Sequence, residues 1–142
     1  DLKAREKMAE ASIVAGVAFS HPRTTASHAC SFPLTNIYGL PHGEACAFTL
    51  DYFLKFNAER ADGDGRITAL AKDCGFNDAF EMADEITAMK KRMGMRCTLS
   101  EIGCETDEQI DELTKKSMSM LMTRNPITLT QKDIKEMYIK LK

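Results

Sequence analysis

Residues Ser27–Gly43 read Ser-His-Ala-Cys-Ser-Phe-Pro-Leu-Thr-Asn-Ile-Tyr-Gly-Leu-Pro-His-Gly, and the interpretation of the whole chain depends on this stretch. It holds two of the three histidines, His28 and His42, and two of the four prolines. The Gly-Leu-Pro-His-Gly segment predicts a turn after which a helix restarts, because glycine and proline interrupt helices. The spacing therefore allows one imidazole to project from a short helix and the other to project from the start of the next helix.

His28 and His42 are the candidate metal ligands of the chain. Neutral imidazole is the commonest protein ligand for borderline metals. The alternative is that each histidine satisfies a hydrogen bond in a core, and by spacing alone this is the commoner situation. Two histidines also do not complete a site, since structural zinc takes four ligands and catalytic zinc about three plus an open position. No residue of this chain is assigned to catalysis or to a cofactor.

The third histidine and the five cysteines are weaker candidates for metal ligands. His21 precedes a proline in a polar loop and is interpreted as a surface residue. The cysteines contain no C-x-x-C pair, and they are Cys30, Cys46, Cys74, Cys97 and Cys104. Cys46 follows His42 by four residues, on the same helical face. An H-x-x-x-C ligand pair is therefore conceivable, but a small buried cysteine on an apolar face is the favoured interpretation.

Length and composition predict one soluble domain spanning residues 1–142. Hydrophobic residues make up 44% and charged residues 28% of the chain, which is ordinary for a globular protein. The net charge is -2 without a basic cluster, which argues against nucleic acid and acidic membrane surfaces as partners. Five cysteines without framework spacing, no signal peptide and no long apolar run indicate a reducing, cytoplasmic setting.

Apolar residues recur at helical spacing and no segment alternates, so the sequence predicts an all-α fold of about seven or eight helices. Predicted turns separate the helices, including one over residues 36–41. The last two helices carry capping signals at Thr106 and Thr130. In the helix that Asn77 is expected to cap, the side chains predicted to face inward are Phe80, Ala83, Ile86 and Met89. The longer predicted helices span residues 2–19, 42–56, 67–74, 77–93, 106–120 and 130–141. A short helix is predicted from residue 25 through Cys30 or slightly beyond, ending before or after Pro33.

The run Asp62-Gly63-Asp64-Gly65 suggests a calcium loop, but the positions that follow do not fit one. An EF-hand needs an oxygen ligand, a glycine and usually a glutamate where this chain has Arg66, Ile67 and Asp73. A solvated turn is the better interpretation. The chain also has no P-loop and no G-x-G-x-x-G after a strand, so it lacks a recognised nucleotide-phosphate device.

Three segments closely resemble the iron-containing (group III) alcohol dehydrogenases: Ala15-Gly16-Val17-Ala18-Phe19, His28-Ala29, and Tyr38-Gly39-Leu40-Pro41-His42-Gly43-Glu44-Ala45. The tail is similar to the end of that family, with Arg124-Asn125-Pro126 followed by Leu129-Thr130 and Asp133-Ile134. The resemblance covers nearly all of the chain, but only the C-terminal helical part of such an enzyme. It implies a helical, bundle-like metal-binding domain of the dehydroquinate synthase-like type.

The resemblance also implies a ligand set for one divalent metal, Fe²⁺ or Zn²⁺. In that family an aspartate, a histidine four residues later and two further histidines bind the ion, and the last two match His28 and His42. The first two ligands and the NAD- or NADP-binding domain are expected upstream of Asp1, outside this chain. The chain begins in helical pattern without a methionine, as a piece of a longer protein does. By itself it is therefore expected to be inactive as a dehydrogenase.

The sequence departs from the pattern of the family at Phe32. Many members carry a histidine at this position, four residues after the third ligand and near the nicotinamide. Phenylalanine cannot take part in a proton relay there. The segment Phe32-Pro33-Leu34-Thr35 is similar to members that act on small polar or phosphonate aldehydes.

The function that the resemblance implies is hydride transfer between a nicotinamide cofactor and a small alcohol or aldehyde. Besides that substrate, the expected partners are the missing N-terminal domain of the same protein and further copies in a homo-oligomer. One alternative is a glycerol dehydrogenase or a dehydroquinate synthase-like relative, and another is a non-catalytic helical module. Pro41-His42-Gly43 together with His28 favours the alcohol dehydrogenase.

Overall fold

The computed structural model describes residues 1–142 and confirms the all-α prediction, since it contains eight α-helices and no strand. No helix combines the length and the apolar character that crossing a membrane demands. Two short 3₁₀-helices, Ser100–Ile102 and Met120–Arg124, lie between the later α-helices. The α-helices are α1 Leu2–Phe19, α2 Ala26–Tyr38, α3 His42–Phe48, α4 Leu50–Ala61, α5 Arg66–Asp73, α6 Ala79–Arg92, α7 Asp107–Ser117 and α8 Gln131–Lys140.

Helix α2 lies at the centre of the packing, in contact with α3, α4, α7 and the second 3₁₀-helix. The core is one cluster of 18 buried residues, to which α2 contributes Ala26, Ala29, Cys30 and Leu34. These positions recur every three or four residues, so they form one stripe of the helix. Helix α1 differs from α2, because none of its residues is buried.

Helix α2 passes Pro33 and continues to Tyr38, so the predicted turn over residues 36–41 starts too early, and only residues 39–41 lie outside the helices. Proline removes one backbone hydrogen bond and costs a helix interior about 3 kcal/mol. Pro33 and Leu34 are themselves buried, and that packing offsets the cost. The helix ends at Gly39, whose φ of 69° lies in the left-handed region that glycine adopts without strain.

The predicted single helix over residues 42–56 is two helices, divided at Thr49. In an unbroken helix the carbonyl of Phe48 would accept from the backbone N–H of Tyr52. In the structure the ammonium group of Lys90 donates to that carbonyl over 3.2 Å. The long-range contact therefore supplies the hydrogen bond that the break removes.

The predicted inner face of α6 is also partly wrong. Ala83 is buried, but Phe80 and Met89 are 42% and 44% exposed. The face that packs on α4 instead carries Ala83, Thr87 and Lys90, whose spacing is equally helical. Apolar periodicity missed it because two of these three side chains are polar. The cap is Asp78 rather than Asn77, since the carboxylate of Asp78 accepts from the first backbone N–H groups of the helix.

Helix starts elsewhere follow the sequence signals. Thr106 and Thr130 each form a capping box, with Gln109 and Asp133 respectively. Asp62 also stabilises a helix start, because its carboxylate accepts from the backbone N–H groups of Ile67 and Thr68 over 2.7 and 3.0 Å. These hydrogen bonds explain why the Asp-Gly-Asp-Gly run forms a turn ahead of α5.

Asp51 and Lys90 form a buried ion pair between α4 and α6, with 2.7 Å between Oδ1 and Nζ. We predict that Asp51→Asn lowers the free energy of unfolding by about 3 kcal/mol, because Lys90 then lacks its counter-charge. Urea denaturation measures this change. The control is Asp84→Asn, which removes the exposed Lys55–Asp84 pair between the same two helices and costs less than about 1 kcal/mol. Equal effects of the two substitutions would contradict the prediction.

Candidate metal centre

His28 and His42 are brought together by the reversal of the chain between α2 and α3. His28 lies in the first turn of α2, and His42 is the first residue of α3. Leu40, between them in sequence, is buried and donates its N–H to the carbonyl of Leu34 over 3.3 Å. The ring centroids of the two histidines are 5.0 Å apart and nearly perpendicular, at 86°. Their role as ligands stays a prediction.

Ser31 favours one tautomer of His42. Its hydroxyl donates its one hydrogen to the carbonyl of His28 over 2.7 Å. At the longer contact of 3.5 Å to Nδ1 of His42 the hydroxyl oxygen can therefore only accept. This arrangement favours the tautomer that carries hydrogen on Nδ1, so Nε2 keeps a free lone pair. Orientation of a ligand imidazole through its second nitrogen is a common property of metal sites.

Cys46 joins the two histidines, which corrects its interpretation as a core residue. It is only partly buried, and its Sγ lies 3.6 Å from Nδ1 of His28 and 3.6 Å from Nε2 of His42. The ligand atoms of the three side chains all lie within 4.8 Å of one another. The signal in the sequence was the four-residue interval from His42, which places both side chains on one face of α3.

Phe32 forms an apolar wall beside the histidines. Its ring meets the edge of His28 with centroids 4.9 Å apart, and it lies at 27° to the plane of His42 at 6.3 Å. Phe32 and His28 are one helical turn apart on α2, which accounts for the contact. This hydrocarbon ring covers part of the two imidazoles and has no titratable proton.

The charge state of the site is set by burial and by the second imidazole. Burial lowers the pKa of His28, and the positive charge of a protonated His42 lowers it further. The neutral form, which is the form that binds metals, is thereby favoured.

Glu44 ties the first turn of α3 to the segment that follows α6. Its carboxylate accepts three hydrogen bonds of 2.9 Å from Arg96, one from the backbone N–H and two from the guanidinium group. These hydrogen bonds hold the pKa of Glu44 below its ordinary value. Because Glu44 is two residues from His42, the same contacts hold the backbone that carries this imidazole.

The remaining sequence candidates lie apart from this group. His21 is exposed and has no place in it. No second group of three His, Cys, Asp or Glu side chains brings its ligand atoms this close. Two imidazole nitrogens and one sulfur suit a borderline divalent ion such as Zn²⁺ or Fe²⁺. The donor set therefore fits the metal that the sequence resemblance implies.

Comparison with known proteins identifies one family along nearly the whole chain. The model of the family described as "Fe-containing alcohol dehydrogenase family, C-terminal" matches residues 1–141. An alcohol dehydrogenase of Thermococcus barophilus is 32% identical over 97% of this chain and 36% of its own length. An NADPH-dependent butanol dehydrogenase of Clostridium saccharobutylicum is 28% identical over 97% of this chain and 38% of its own length.

A solved structure is also similar, that of sulfoacetaldehyde reductase from Bifidobacterium kashiwanohense in complex with NAD⁺. It superposes with a TM-score of 0.91 at 49% identity, over 98% of this chain and 36% of the other. The chain thus spans little more than a third of the length of these relatives.

We predict that Glu44→Gln lowers the free energy of unfolding at neutral pH by about 1 kcal/mol, because the charge-assisted hydrogen bonds to Arg96 weaken. In the parent chain this stabilisation is complete above the ordinary glutamate pKa of about 4.3. It is lost as the pH falls through the lowered pKa of folded Glu44, because the unfolded state then binds more protons. Urea denaturation across this range should show a shallower acid dependence for the variant.

The control for this prediction is Glu112→Gln, which changes the exposed pair with Lys116 within one helix. Its effect at neutral pH should stay below about 0.5 kcal/mol. An unchanged acid dependence in Glu44→Gln would refute the assignment to Glu44.

Proposed function

The chain belongs to the iron-containing alcohol dehydrogenase family, and we propose that it is the metal-binding C-terminal part of an NAD(P)-dependent alcohol dehydrogenase or aldehyde reductase. The observation that carries the proposal is the meeting of His28 and His42, with ring centroids 5.0 Å apart. Two imidazole nitrogens bonded to one ion at about 2.0–2.1 Å lie within about 4 Å of each other, and rings whose centroids are this close can reach that separation. The whole of residues 1–142 forms the metal-binding domain, and the dinucleotide-binding domain precedes it in the intact protein.

The proposed roles of the chain's own residues are binding and orientation. His28 and His42 hold the divalent ion through nitrogen lone pairs, and Ser31 keeps His42 in the tautomer that leaves Nε2 free. When bound, the ion supplies Lewis-acid polarisation of the substrate oxygen, while hydride is exchanged with the nicotinamide. Phe32 packs against His28 and limits the orientations of its ring. Glu44 and Arg96 hold the start of α3 in place.

Phe32 also limits the proton chemistry that we propose. A family member with histidine at this position has a titratable group one helical turn from the metal ligand, and this chain has none there. The proton of the alcohol therefore reaches solvent by water or by groups of the upstream part. Neither route uses the side chain of Phe32.

The substrate that we propose is a short aldehyde with an anionic group, of the sulfoacetaldehyde type. This proposal is supported by the 49% identity to sulfoacetaldehyde reductase, against 32% and 28% for the alcohol and butanol dehydrogenases above. We further propose a reducing compartment such as the cytoplasm and a homo-oligomeric intact protein. The compartment is supported by five cysteines that form no disulfide.

In the intact protein, His28→Ala and His42→Ala should each lower metal affinity by more than about a hundredfold and remove activity with it, because each deletes a ligand. Elemental analysis and nicotinamide absorbance measure the two quantities. His21→Ala is the control and should change neither, since this side chain is exposed and apart from the site. Full activity of a variant that holds no metal would refute the proposed role, and so would a loss of activity in the control.

The substrate proposal is tested on the same intact protein with two aldehydes of similar length, sulfoacetaldehyde and propionaldehyde. We predict at least about a hundredfold higher kcat/KM for sulfoacetaldehyde, because a site built around a charged group rejects an analogue that lacks it. Equal values would favour a general alcohol dehydrogenase. Activity confined to glycerol, or to no alcohol or aldehyde, would favour the glycerol dehydrogenase relative or the non-catalytic module.

A further inference from the structure

Cys46 contacts both histidines of the candidate site rather than only one. Its sulfur lies at the same distance, 3.6 Å, from one nitrogen of each imidazole. Around a tetrahedral zinc ion with bonds of about 2.3 Å to sulfur and 2.0–2.1 Å to nitrogen, the sulfur and nitrogen ligands are about 3.6 Å apart. The two sulfur–nitrogen distances therefore already match those around one ion, whereas the two nitrogens, which lie within 4.8 Å of each other, have to approach to about 3.4 Å.

The environment of Cys46 also differs from that of the core thiols. Cys30 and Cys104 are fully buried members of the hydrophobic core, whereas Cys46 is partly exposed and faces two ring nitrogens. The nitrogen of His42 that faces the sulfur is Nε2, the one left with a free lone pair by Ser31. The two candidate donor atoms on α3, Sγ of Cys46 and Nε2 of His42, thus lie next to each other.

We propose that Cys46 is a third metal ligand, so that this chain alone contributes a His₂Cys set with an open position. The proposal rests on the proposed metal role of His28 and His42 and adds a residue that the resemblance does not include. On binding, the S–H bond of Cys46 breaks, its electron pair goes to the ion and the proton goes to solvent. The thiolate selects zinc over harder ions such as magnesium, because soft ligands prefer softer metals.

This ligand set changes what is expected of the chain by itself. Two imidazoles alone retain a metal weakly, whereas three protein ligands and an open position are typical of catalytic zinc. With the two upstream ligands that the resemblance implies, the thiolate is a fifth protein ligand, so in the intact protein it has to leave the zinc ion when the substrate oxygen binds. The competing explanation is a hydrogen-bonded set in which the thiol donates to His42 and accepts from His28, with no sulfur–metal bond.

Cobalt(II) distinguishes these explanations, because a cobalt–thiolate bond gives an intense near-ultraviolet charge-transfer band that nitrogen and oxygen ligands do not give. We expect the reduced 142-residue chain to show this band on titration with Co²⁺. Cys46→Ser keeps a hydroxyl for hydrogen bonding but should lose the band and at least about tenfold in affinity. Cys74→Ser, which changes an exposed cysteine outside the site, should keep both. Far-ultraviolet circular dichroism checks that each variant is folded.

Alkylation gives a second readout that needs no variant. With Zn²⁺ bound, iodoacetamide should label Cys74 but not Cys46, and removal of zinc by a chelator should restore labelling of Cys46. Mass spectrometry of the two peptides measures both in one sample. Labelling of Cys46 that zinc leaves unchanged would overturn the proposal.

The failures of the two proposals are distinguishable. Cobalt binding that weakens in His28→Ala and His42→Ala, shows no charge-transfer band and is unaffected by Cys46→Ser would overturn the role of Cys46. The proposed metal role of the histidines would then stand. Cobalt binding that none of these three substitutions weakens would overturn both. No binding at all would overturn the His₂Cys set of this chain, and metal analysis of the intact protein with His28→Ala and His42→Ala then decides the role of the histidines.

Discussion

The burial of one stripe of α2 is the constraint on which the rest of the structure depends. Ala26, Ala29, Cys30 and Leu34 are almost fully excluded from solvent, and they fix the rotation of the helix about its axis. Once that rotation is fixed, the neighbouring stripe, which carries His28 and Phe32, has to face the start of α3. Leu40, buried just beyond the end of α2, then sets where the chain turns and where His42 begins the next helix. The geometry of the site is thus a consequence of packing that involves none of its candidate ligands.

A network of buried hydroxyl groups lies beside Cys30, and it makes the environment of this cysteine different from that of Cys46. The hydroxyl groups of Ser117 and Tyr138 are 2.8 Å apart, and Ser117 also donates to the carbonyl of Leu113. Cys30 lies among these groups, and burial raises the pKa of its thiol to about 12. A thiol held protonated in this way is structural and chemically inert. Cys46, on α3, has the imidazole neighbours and the solvent access that the core thiol lacks.

Much of this fold could be predicted from the sequence because its signals are local. The capping boxes at Thr106 and Thr130 and the helical spacing of apolar residues need only a few neighbouring positions, and both were confirmed. The division at Thr49 and the true inner face of α6 could not be predicted, because both depend on Lys90 reaching Phe48 and Asp51, some forty residues away in sequence. An apolar scale treats a buried lysine as a surface residue, so it assigns the wrong face. Tertiary contacts of this kind override local pattern.

The candidate site could likewise be predicted only in part, because some of its contacts join residues that are distant in sequence. The candidate pair His28 and His42 was identified from motif and resemblance, and the packing of α2 on α3 brings the two rings together. The sequence gives only a weak signal for Cys46, because a four-residue interval shows that two side chains share a helical face but not which other helix contacts that face. That helix is α2, whose His28 approaches from outside α3. None of these three side chains belongs to the hydrophobic core cluster, and Ser31, Phe32 and Glu44 position the imidazoles through contacts within the protein. Contacts within the protein therefore place these three side chains together, whereas a small zinc domain folds only with its metal.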